Sequence, residues 1–359
     1  MGQDTTLLLG TGKGCFLLSG DGAGDGSAWK IRGPLADVAP INHVISDPVT
    51  GHLHGGCGGW FDHGVWRSTD GGARWDLHNT GLKMPEAEAP GVWSLARSNG
   101  RIYAGTKPAG LFFSDDDGLT WEAVEALNTH PTRDQWNPGG AGLTLHHIVT
   151  HPEDPKKLWI GISAAGVFAT EDGGETWEPR NQGTRVAFGG EPPTYPALGQ
   201  CVHSIARARG PGDVLYQQNH CGMYRSADGG RQWEAIETGL PSSFGFPIAV
   251  HPKDPDCAWL FPLNGDVAGR FAPDAKPAVW RTRNAGASWE ALRDGLPQDH
   301  AYFTVLRQAM AVEPEEGAGL YFGTNAGEVW ASDTEGERWA CVARHLPPIL
   351  SVEVQARLI

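Results

Sequence analysis

Short apolar segments alternate with turn-forming residues along the whole chain, and no apolar run has the length or spacing of an amphipathic helix. The stretch 145–177 shows the pattern clearly: the apolar segment Leu145–Thr150 is followed by the turn HPEDPKK. A second segment, LWIGIS, ends in Ala-Ala-Gly, and a third, GVFAT, leads into EDGGETW. Apolar runs of about four to eight residues bounded by Gly, Pro and Asp predict short strands joined by tight turns. The unit therefore predicts four antiparallel strands, the last beginning at Trp177.

The same unit recurs along the chain. Its third-to-fourth turn carries Ser or Thr, then usually Asp, then Gly, and closes on a tryptophan: Trp75, Trp121, Trp177, Trp233, Trp289 and Trp339. A longer variant ends at Trp29, and successive tryptophans of the series lie 46 to 56 residues apart. Self-similarity at such a period is typical of propellers, solenoids and arrays. Seven four-stranded units predict the seven blades of a β-propeller. We call the six regular third-to-fourth turns the Asp turns.

The two chain ends differ from the other units in a complementary way. The first unit begins with a second-type strand, in LLLGTGKGCFLLS, and lacks an innermost strand. The last segment, ILSVEVQARLI, is a spare apolar strand. Pairing of the two would close the ring and cover both sheet edges. We predict an all-β, seven-bladed β-propeller that forms one domain, 1–359, with residues 350–355 pairing in blade one.

The Asp turns match the pattern S/T-x-D-x-G-x-x-W and resemble the Asp-box, or BNR, repeat. Ser68, Asp70, Gly72 and Trp75 fit it, as do the next three copies, whereas the last two copies replace Asp by Asn and Thr. Proteins with this repeat include sialidases, xyloglucanases, sortilin-like receptors and a photosystem II assembly factor. The resemblance implies a sialidase-like or BNR-repeat glycosyl-hydrolase-like bacterial protein of unestablished reaction. Sialidases also carry an F/Y-R-I-P motif, from which the string WKIRGP departs.

Composition narrows the classes of partner. The 359 residues include 50 Gly, 26 Pro and 15 Trp, as expected for many tight turns and large aromatic plugs. The formal net charge is −14 with no basic cluster, which argues against nucleic acid and against anionic membranes as partners. No signal-peptide pattern or membrane-spanning run is present in the sequence, and the six cysteines are scattered. We therefore expect reduced thiols and a cytoplasmic location.

The two rims of the propeller should differ in role. First-to-second turns and Asp turns share one rim, the Asp-turn rim, and six near-copies of one turn cannot be six active sites. We assign the Asp turns to the scaffold. The other rim, the loop rim, carries the second-to-third turns and the connections between blades, including 126–144 and 183–200. Long irregular loops in a compact repeat protein are usually functional, so we predict a pocket at the channel mouth on the loop rim.

Aligning the inner strands reveals a column of polar and aromatic residues near the loop rim. The column contains Asn42, Trp93, His146, His203, Phe246 and Gln308. His146 and His203 hold equivalent places on adjacent blades, and His220 lies on a neighbouring loop. We predict four catalytic candidates: His146, His203, His220 and Arg307. The substrate-binding candidates are Trp93, Arg133, Trp136, Asn219, Tyr302 and Gln308.

Three functions are open on the sequence alone. We favour binding, with hydrolysis or cleavage, of a small polar or sugar-like ligand, because His, Arg, Tyr and Trp concentrate at one mouth. The alternative is a non-catalytic interaction or assembly platform built on a patch of Arg133, Arg185, Arg270 and Arg307. A third interpretation is a divalent metal on His146, His203 and His220, similar to the inner-strand histidines of carotenoid-cleaving oxygenases.

A glycosidase needs two carboxylates that flank the sugar bond. The rim acids that qualify by position are Asp62, Asp134, Glu191, Asp266 and Asp299. Their positions in the sequence do not show which two of these acids would act as a catalytic pair. The sequence also leaves the substrate, the cofactor and the oligomeric state open.

Overall fold

In a computed structural model the chain forms seven four-stranded antiparallel sheets arranged as the blades of a β-propeller. The inner strands of consecutive blades contact one another in a closed ring around a central channel. The structure describes residues 5–20, 29–36, 39–58, 63–85, 87–186, 194–210, 212–315 and 319–358. The all-β, seven-bladed architecture predicted from the repeat is confirmed.

The strands of blades one to four are β1 (Thr5–Thr11), β2 (Gly14–Gly20), β3 (Lys30–Leu35), β4 (Ile41–Ser46), β5 (Leu53–Gly58), β6 (His63–Ser68), β7 (Asp76–His78), β8 (Gly91–Ser98), β9 (Arg101–Lys107), β10 (Leu111–Ser114), β11 (Glu122–Ala123), β12 (Leu145–Thr150), β13 (Leu158–Ile162), β14 (Gly166–Thr170) and β15 (Glu178–Pro179). Those of blades five to seven are β16 (Val202–Arg207), β17 (Leu215–Asn219), β18 (Gly222–Ser226), β19 (Glu234–Ala235), β20 (Phe244–Val250), β21 (Ala258–Leu263), β22 (Val279–Thr282), β23 (Glu290–Leu292), β24 (Met310–Val312), β25 (Leu320–Gly323), β26 (Val329–Ser332) and β27 (Ala340–Ala343). The last strand is β28 (Ile349–Val354).

In the part of the chain that the structure describes, helical structure lies in the connections between strands and includes α1 (Glu125–Asn128) and two short 3₁₀ turns, Arg133–Gln135 and Pro273–Ala275. Among the described residues no helix has the length and apolarity needed to cross a membrane.

The ring is closed by the C-terminal strand β28, which the sequence analysis identified as the spare apolar strand. β28 pairs antiparallel with β1, so that Leu7 lies opposite Val354 and Leu9 opposite Val352. The first blade therefore has the order β28-β1-β2-β3, with its innermost strand supplied by the end of the chain. The observed strand begins one residue earlier than predicted, at Ile349, whose side chain is fully buried. Closure removes the edge that β1 would otherwise expose toward the channel.

The core consists of layers between neighbouring blades. Between blades six and seven, Trp259, Phe261 and Phe322 pack together with Trp339 of the last Asp turn. Because blades on both sides cover a sheet, middle strands such as β13 and β21 have every residue buried. These strands are almost continuous apolar runs for that reason, whereas the short outer strands keep exposed acidic and polar positions.

The Asp turns repeat one hydrogen-bond pattern six times. In the turn of blade two, the Ser68 hydroxyl accepts from the Gly72 amide at 2.8 Å, and Asp70 Oδ1 accepts from the Arg74 amide at 2.9 Å. The glycine has φ +87°, a conformation that favours Gly, and its counterparts in the other five turns have φ between +85° and +98°. Each fourth strand begins one residue after the tryptophan rather than at it, because the tryptophan still belongs to the turn.

The two imperfect copies keep the same bonds with other side chains. In blade six Asn284 Oδ1 accepts from the Ser288 amide at 2.9 Å. In blade seven the hydroxyl of Thr334 accepts from the Arg338 amide at 2.9 Å. Any short side chain with an acceptor oxygen therefore serves at this position, which supports the assignment of these turns to the scaffold.

The Asp172→Ala substitution removes the acceptor for the Thr176 amide and for the hydroxyls of Thr176 and Thr170. We expect the free energy of unfolding at pH 7 to fall by about 1–2 kcal/mol, because an amide and two hydroxyls lose their partner. The Thr176 hydroxyl, followed by the Thr176 amide, holds the pKa of Asp172 well below its usual range. The deficit should therefore shrink below about pH 4, where the unfolded carboxyl binds a proton.

The matched control is Asp172→Asn, because Asn already serves at this position in blade six. We expect it to retain more than half of the stability lost in the Ala variant, and its smaller deficit should also shrink below about pH 4, because both variants lack the carboxyl that titrates in the native protein. Urea denaturation followed by tryptophan fluorescence at pH 7 and pH 3.5 measures both variants. Equal damage by Asn and Ala would contradict the assigned role of the acceptor oxygen.

Candidate functional site

A β-bulge near the start of the inner strand recurs in blades two to five, and β20 of blade six has a similar shift in pairing between Gly245 and Ile248. In β8, Val92 lies opposite Thr106 and Ser94 opposite Gly105, which leaves Trp93 without a partner of its own. The pairing shifts in the same way in β4, β12 and β16, and the extra residues are Asn42, His146 and His203. A bulge turns the side chain of the extra residue out of the normal alternation of the strand. Four of the six residues in the aligned column, Asn42, Trp93, His146 and His203, are therefore bulge residues.

Side chains at and beside the bulges hydrogen-bond to the next blade. The Asn42 amide donates to Val92 O at 2.9 Å, and the Ser94 hydroxyl donates to Leu145 O at 2.9 Å. His203 Nδ1 donates to Gly245 O at 2.7 Å. In each case the accepting carbonyl belongs to the residue directly before a bulge of the next blade. Part of the column thus ties neighbouring blades together.

The structure brings His203 and His220 together with Arg307, as predicted for three of the four catalytic candidates. The two imidazole rings lie 5.4 Å apart, and both contact the ring of Phe244. The Arg307 guanidinium lies 4.4 Å from the ring centre of Phe246, which also contacts His203. These residues form one cluster between blades five, six and seven, which we call the histidine cluster.

His146 is placed differently from the other two histidines. Its ring contacts Trp93 edge-on at 6.0 Å, is fully buried, and has no hydrogen-bond partner on either nitrogen. Burial, followed by the charge of Arg307, holds the pKa of His146 well below its usual range. His146 is therefore a neutral buried ring that a ligand reaches only if the surrounding side chains move.

The imidazole rings of His203 and His220 are held neutral in the same way. Burial, followed by the charge of Arg307, holds the pKa of His203 well below its usual range, and burial also lowers the pKa of His220. Burial lowers the pKa of Arg307 to about 10, so this side chain stays a cation at neutral pH. Because His203 donates from Nδ1, its neutral form presents a free electron pair on Nε2.

Asn219 and Gln308 lie beside these groups and each makes one hydrogen bond to the scaffold, whereas Asn219 Nδ2 is buried without a hydrogen-bond partner in the described structure. Asn219 is fully buried at the end of β17 and accepts from the Cys221 amide at 3.1 Å. Gln308 accepts from the Val352 amide at 2.9 Å through its backbone carbonyl, and its side chain lies on the channel wall.

Three predicted substrate-binding residues, Arg133, Trp136 and Tyr302, do not join the histidine cluster. Arg133 donates to Ala109 O at 2.9 Å, and Trp136 packs in the core between blades three and four. Tyr302 is 64% exposed and packs on Phe271. These loop residues were grouped with the histidines by position along the chain, but the loops fold back onto their own blades.

Two of the four arginines predicted to form a patch on the loop rim are paired with acidic side chains. Arg185 binds Glu237 at 2.9 Å, and Arg270 binds Asp266. Of the rim acids, Asp134 and Asp299 are exposed, whereas Asp62 and Glu191 lie outside the described residues. Asp266 approaches the histidine cluster, with Oδ2 3.8 Å from His220 Nε2.

Among the cavities bounded by described residues, two have volumes of about 600 Å³, and none of the three predicted histidines lines either of them. The first, about 590 Å³, occupies the channel and extends to the turns after the inner strands at Pro48, Pro252 and Pro314, on the Asp-turn rim. The second, about 600 Å³, lies on the loop rim beside Trp93 and is called the rim cavity. A pocket at the loop rim is thus present, but it is centred on blades two and three instead of on the histidines.

The rim cavity is lined by residues of blades two and three and by Leu143 of the following connection. Its described residues are Gly58, His63, Gly91, Trp93, Lys107, Pro108 and Leu143. Gly58 and Gly91 lie so close that a Cβ added to Gly58 would be 2.6 Å from the Gly91 Cα. The Trp93 ring is half-buried, and the Lys107 ammonium lies 5.6 Å from its centre. Sequence alignment of the inner strands pointed to Trp93 but missed His63, on the third strand of blade two, and Lys107, on the second strand of blade three.

The comparisons with known proteins agree with this architecture. No protein-family model matches the sequence. An oligoxyloglucan-reducing-end-specific xyloglucanase of Emericella nidulans is 25% identical over 308 residues, 76% of this chain and 35% of that protein. A xyloglucanase of Acetivibrio thermocellus is 25% identical over 282 residues, 70% of this chain and 31% of that protein. The chain thus spans about a third of the length of these curated relatives.

Solved structures show the same fold at lower identity. The GH74 xyloglucanase of Xanthomonas campestris aligns with a TM-score of 0.61 and 17% identity, over 99% of this chain and 55% of that one. YCF48 of Cyanidioschyzon merolae aligns with a TM-score of 0.56 and 13% identity, over 84% of this chain and 86% of that one. Both establish the propeller fold.

The buried, unpartnered ring of His146 generates a stability prediction. Below about pH 6.5 the unfolded chain binds a proton at this histidine and the folded chain does not, so the native protein loses stability as the pH falls. The His146→Phe substitution keeps a ring against Trp93 and removes this proton. We expect its stability relative to the native protein to rise by about 1.4 kcal/mol for each pH unit below 6.5.

Urea denaturation at pH 7, 6 and 5 measures this effect. His78→Phe, on the outer strand β7, is the matched histidine-to-phenylalanine control, against which the pH profile of His146→Phe is compared. Parallel pH profiles for His146→Phe and the native protein would show that His146 is not held neutral in the folded state.

Proposed function

We propose that the protein is a carbohydrate-active propeller of the glycoside-hydrolase type that binds a glucan oligosaccharide, of the xyloglucan kind, in the rim cavity. The curated relatives that match most of the chain are xyloglucanases, which supports a sugar ligand. The observation that carries the proposal is the half-buried Trp93 indole on the wall of an open cavity of about 600 Å³. A sialidase-like activity finds no support in these relatives.

The cavity has the two kinds of surface that a sugar ring needs. The indole of Trp93 offers a flat apolar face to the C–H groups of a pyranose, and aromatic rings provide much contact area at low entropic cost. Lys107 is exposed beside this ring and has N–H donors for hydroxyl groups. His63 Nδ1 is buried without a partner in the described structure and is available for a further hydrogen bond.

Hydrolysis requires two carboxylates on opposite sides of the scissile bond. None of the described lining residues is acidic, and Asp62, which precedes His63 in sequence, lies outside the described residues. Because no acidic residue is found among the described lining residues, a second candidate function is a non-catalytic binding platform. The two functions share the Trp93 contact and differ in whether bound oligosaccharide is cleaved.

Calorimetry with xyloglucan oligosaccharides tests the binding site. We expect Trp93→Ala to weaken binding at least tenfold, about 1.4 kcal/mol, because the stacking face is lost. Trp93→Phe should restore most of the affinity. Tyr195→Ala is the matched control, because Tyr195 is an exposed aromatic residue, 57% accessible, that does not line the rim cavity.

Release of reducing ends from the same oligosaccharides separates the two functions. Turnover that disappears in Trp93→Ala supports the hydrolase, whereas saturable binding without turnover supports the platform. Unchanged affinity of Trp93→Ala, or no binding of any glucan by the native protein, would contradict the proposal.

A further inference from the structure

Three metal-ligating side chains converge in the histidine cluster. Cys201, His203 and His220 each offer one ligand atom, and these atoms all lie within 4.8 Å of one another. No other group of three His, Cys, Asp or Glu side chains meets this condition in the part of the chain that the structure describes. We propose that Cys201, His203 and His220 bind a Zn²⁺ ion, a set that replaces the predicted His146 by a cysteine.

The backbone positions all three ligands before any ion binds. Cys201 directly precedes β16, and the bulge displaces His203 two residues later. The His220 amide, just after β17, donates to Cys201 O at 2.9 Å, which fixes the two segments side by side. Preformed segments of this kind lower the entropy lost when the ligands are brought together.

The orientation of His203 is the one that metal-bound histidines show. Its Nδ1 donates to Gly245 O at 2.7 Å, so Nε2 carries the electron pair. A hydrogen bond from the second ring nitrogen to a backbone carbonyl typically fixes the tautomer and the ring of a zinc ligand. Cys201 is 6% exposed and Phe244 packs on both histidine rings, so solvent competes little for the ion.

The charges around the cluster suit a dication with a thiolate and one carboxylate. Asp266 Oδ2 lies 3.8 Å from His220 Nε2, outside the group of three ligands, and places a negative charge beside the site. Zn²⁺, a Cys201 thiolate and the Asp266 carboxylate sum to zero, which limits repulsion from Arg307 and Arg270. Tetrahedral zinc places its ligand atoms about 3.3–3.8 Å apart, so separations of at most 4.8 Å must shorten by no more than about 1.5 Å when the ion binds.

Cobalt titration of the EDTA-treated full-length protein tests the site. We expect one Co²⁺ per chain, with the intense visible bands of a tetrahedral site and a thiolate-to-cobalt charge-transfer band. Cys201→Ser should abolish the charge-transfer band, and His203→Asn and His220→Asn should weaken binding at least tenfold. Cys341→Ser, in blade seven, and His78→Asn are the matched controls and should leave titration and spectrum unchanged.

X-ray absorption of the native protein loaded with Zn²⁺ makes the test independent of the folding of any variant. One sulfur neighbour at about 2.3 Å and nitrogen or oxygen neighbours at about 2.0–2.1 Å are expected. Binding of less than one tenth of an equivalent, a zinc shell without sulfur, or a charge-transfer band that persists in Cys201→Ser would overturn the proposal. The zinc site does not depend on the proposed carbohydrate function, because Trp93 is not one of its ligands.

Discussion

The β-bulge of the inner strand is the feature on which the loop rim depends. A bulge removes one residue from the ladder and frees the carbonyl before it. In the next blade, the carbonyls of Val92, Leu145 and Gly245 are freed in this way, and a side chain of the preceding blade donates to each. A buried carbonyl without a partner is costly, so these bonds tie the blades together where the channel opens. The same bulges direct Trp93, His146 and His203 out of the strand alternation.

The bulges of the inner strands explain why the two rims differ in their chemistry. On the Asp-turn rim, one short motif satisfies its own amides six times over, with Asp, Asn or Thr supplying the oxygen. The repetition leaves little room for chemistry that differs from blade to blade. On the loop rim, the position of each bulge is shared but its residue is not, so neighbouring blades present an amide, an indole and two imidazoles. Different chemistry at equivalent positions is what a binding surface in a repeat protein requires.

Much of the fold could be predicted from the sequence because the same pattern of strands and turns occurs in every repeat. The period, the Asp turns and the spare C-terminal strand predicted seven blades and the closure by β28. The column of bulge residues was visible in the alignment, but the bulge itself was not, because it depends on which residues of the second strand are paired. Cys201 was missed for a related reason: it lies outside the strand, and its proximity to His220 arises only from pairing between the two segments.

The candidate site was predicted less completely than the fold. Arg133, Trp136 and Tyr302 belong to long connections, and the path of such loops is set by packing that no repeat reveals. Conversely, the rim cavity is lined by residues from two blades, which meet at the close contact of Gly58 with Gly91. His63 and Lys107 belong to different blades, so their shared place at this cavity depends on blade packing that the sequence does not reveal.

The account rests on the claim that the loop rim, and not the Asp-turn rim, is the ligand-binding face. Hydrogen–deuterium exchange with and without a saturating xyloglucan oligosaccharide tests this claim most directly. Protection is expected in the segments that line the rim cavity, at Gly91–Ser98 and around Lys107 and Pro108, with unchanged exchange in the six Asp turns. Protection confined to the Asp turns, with none around Trp93, would contradict it.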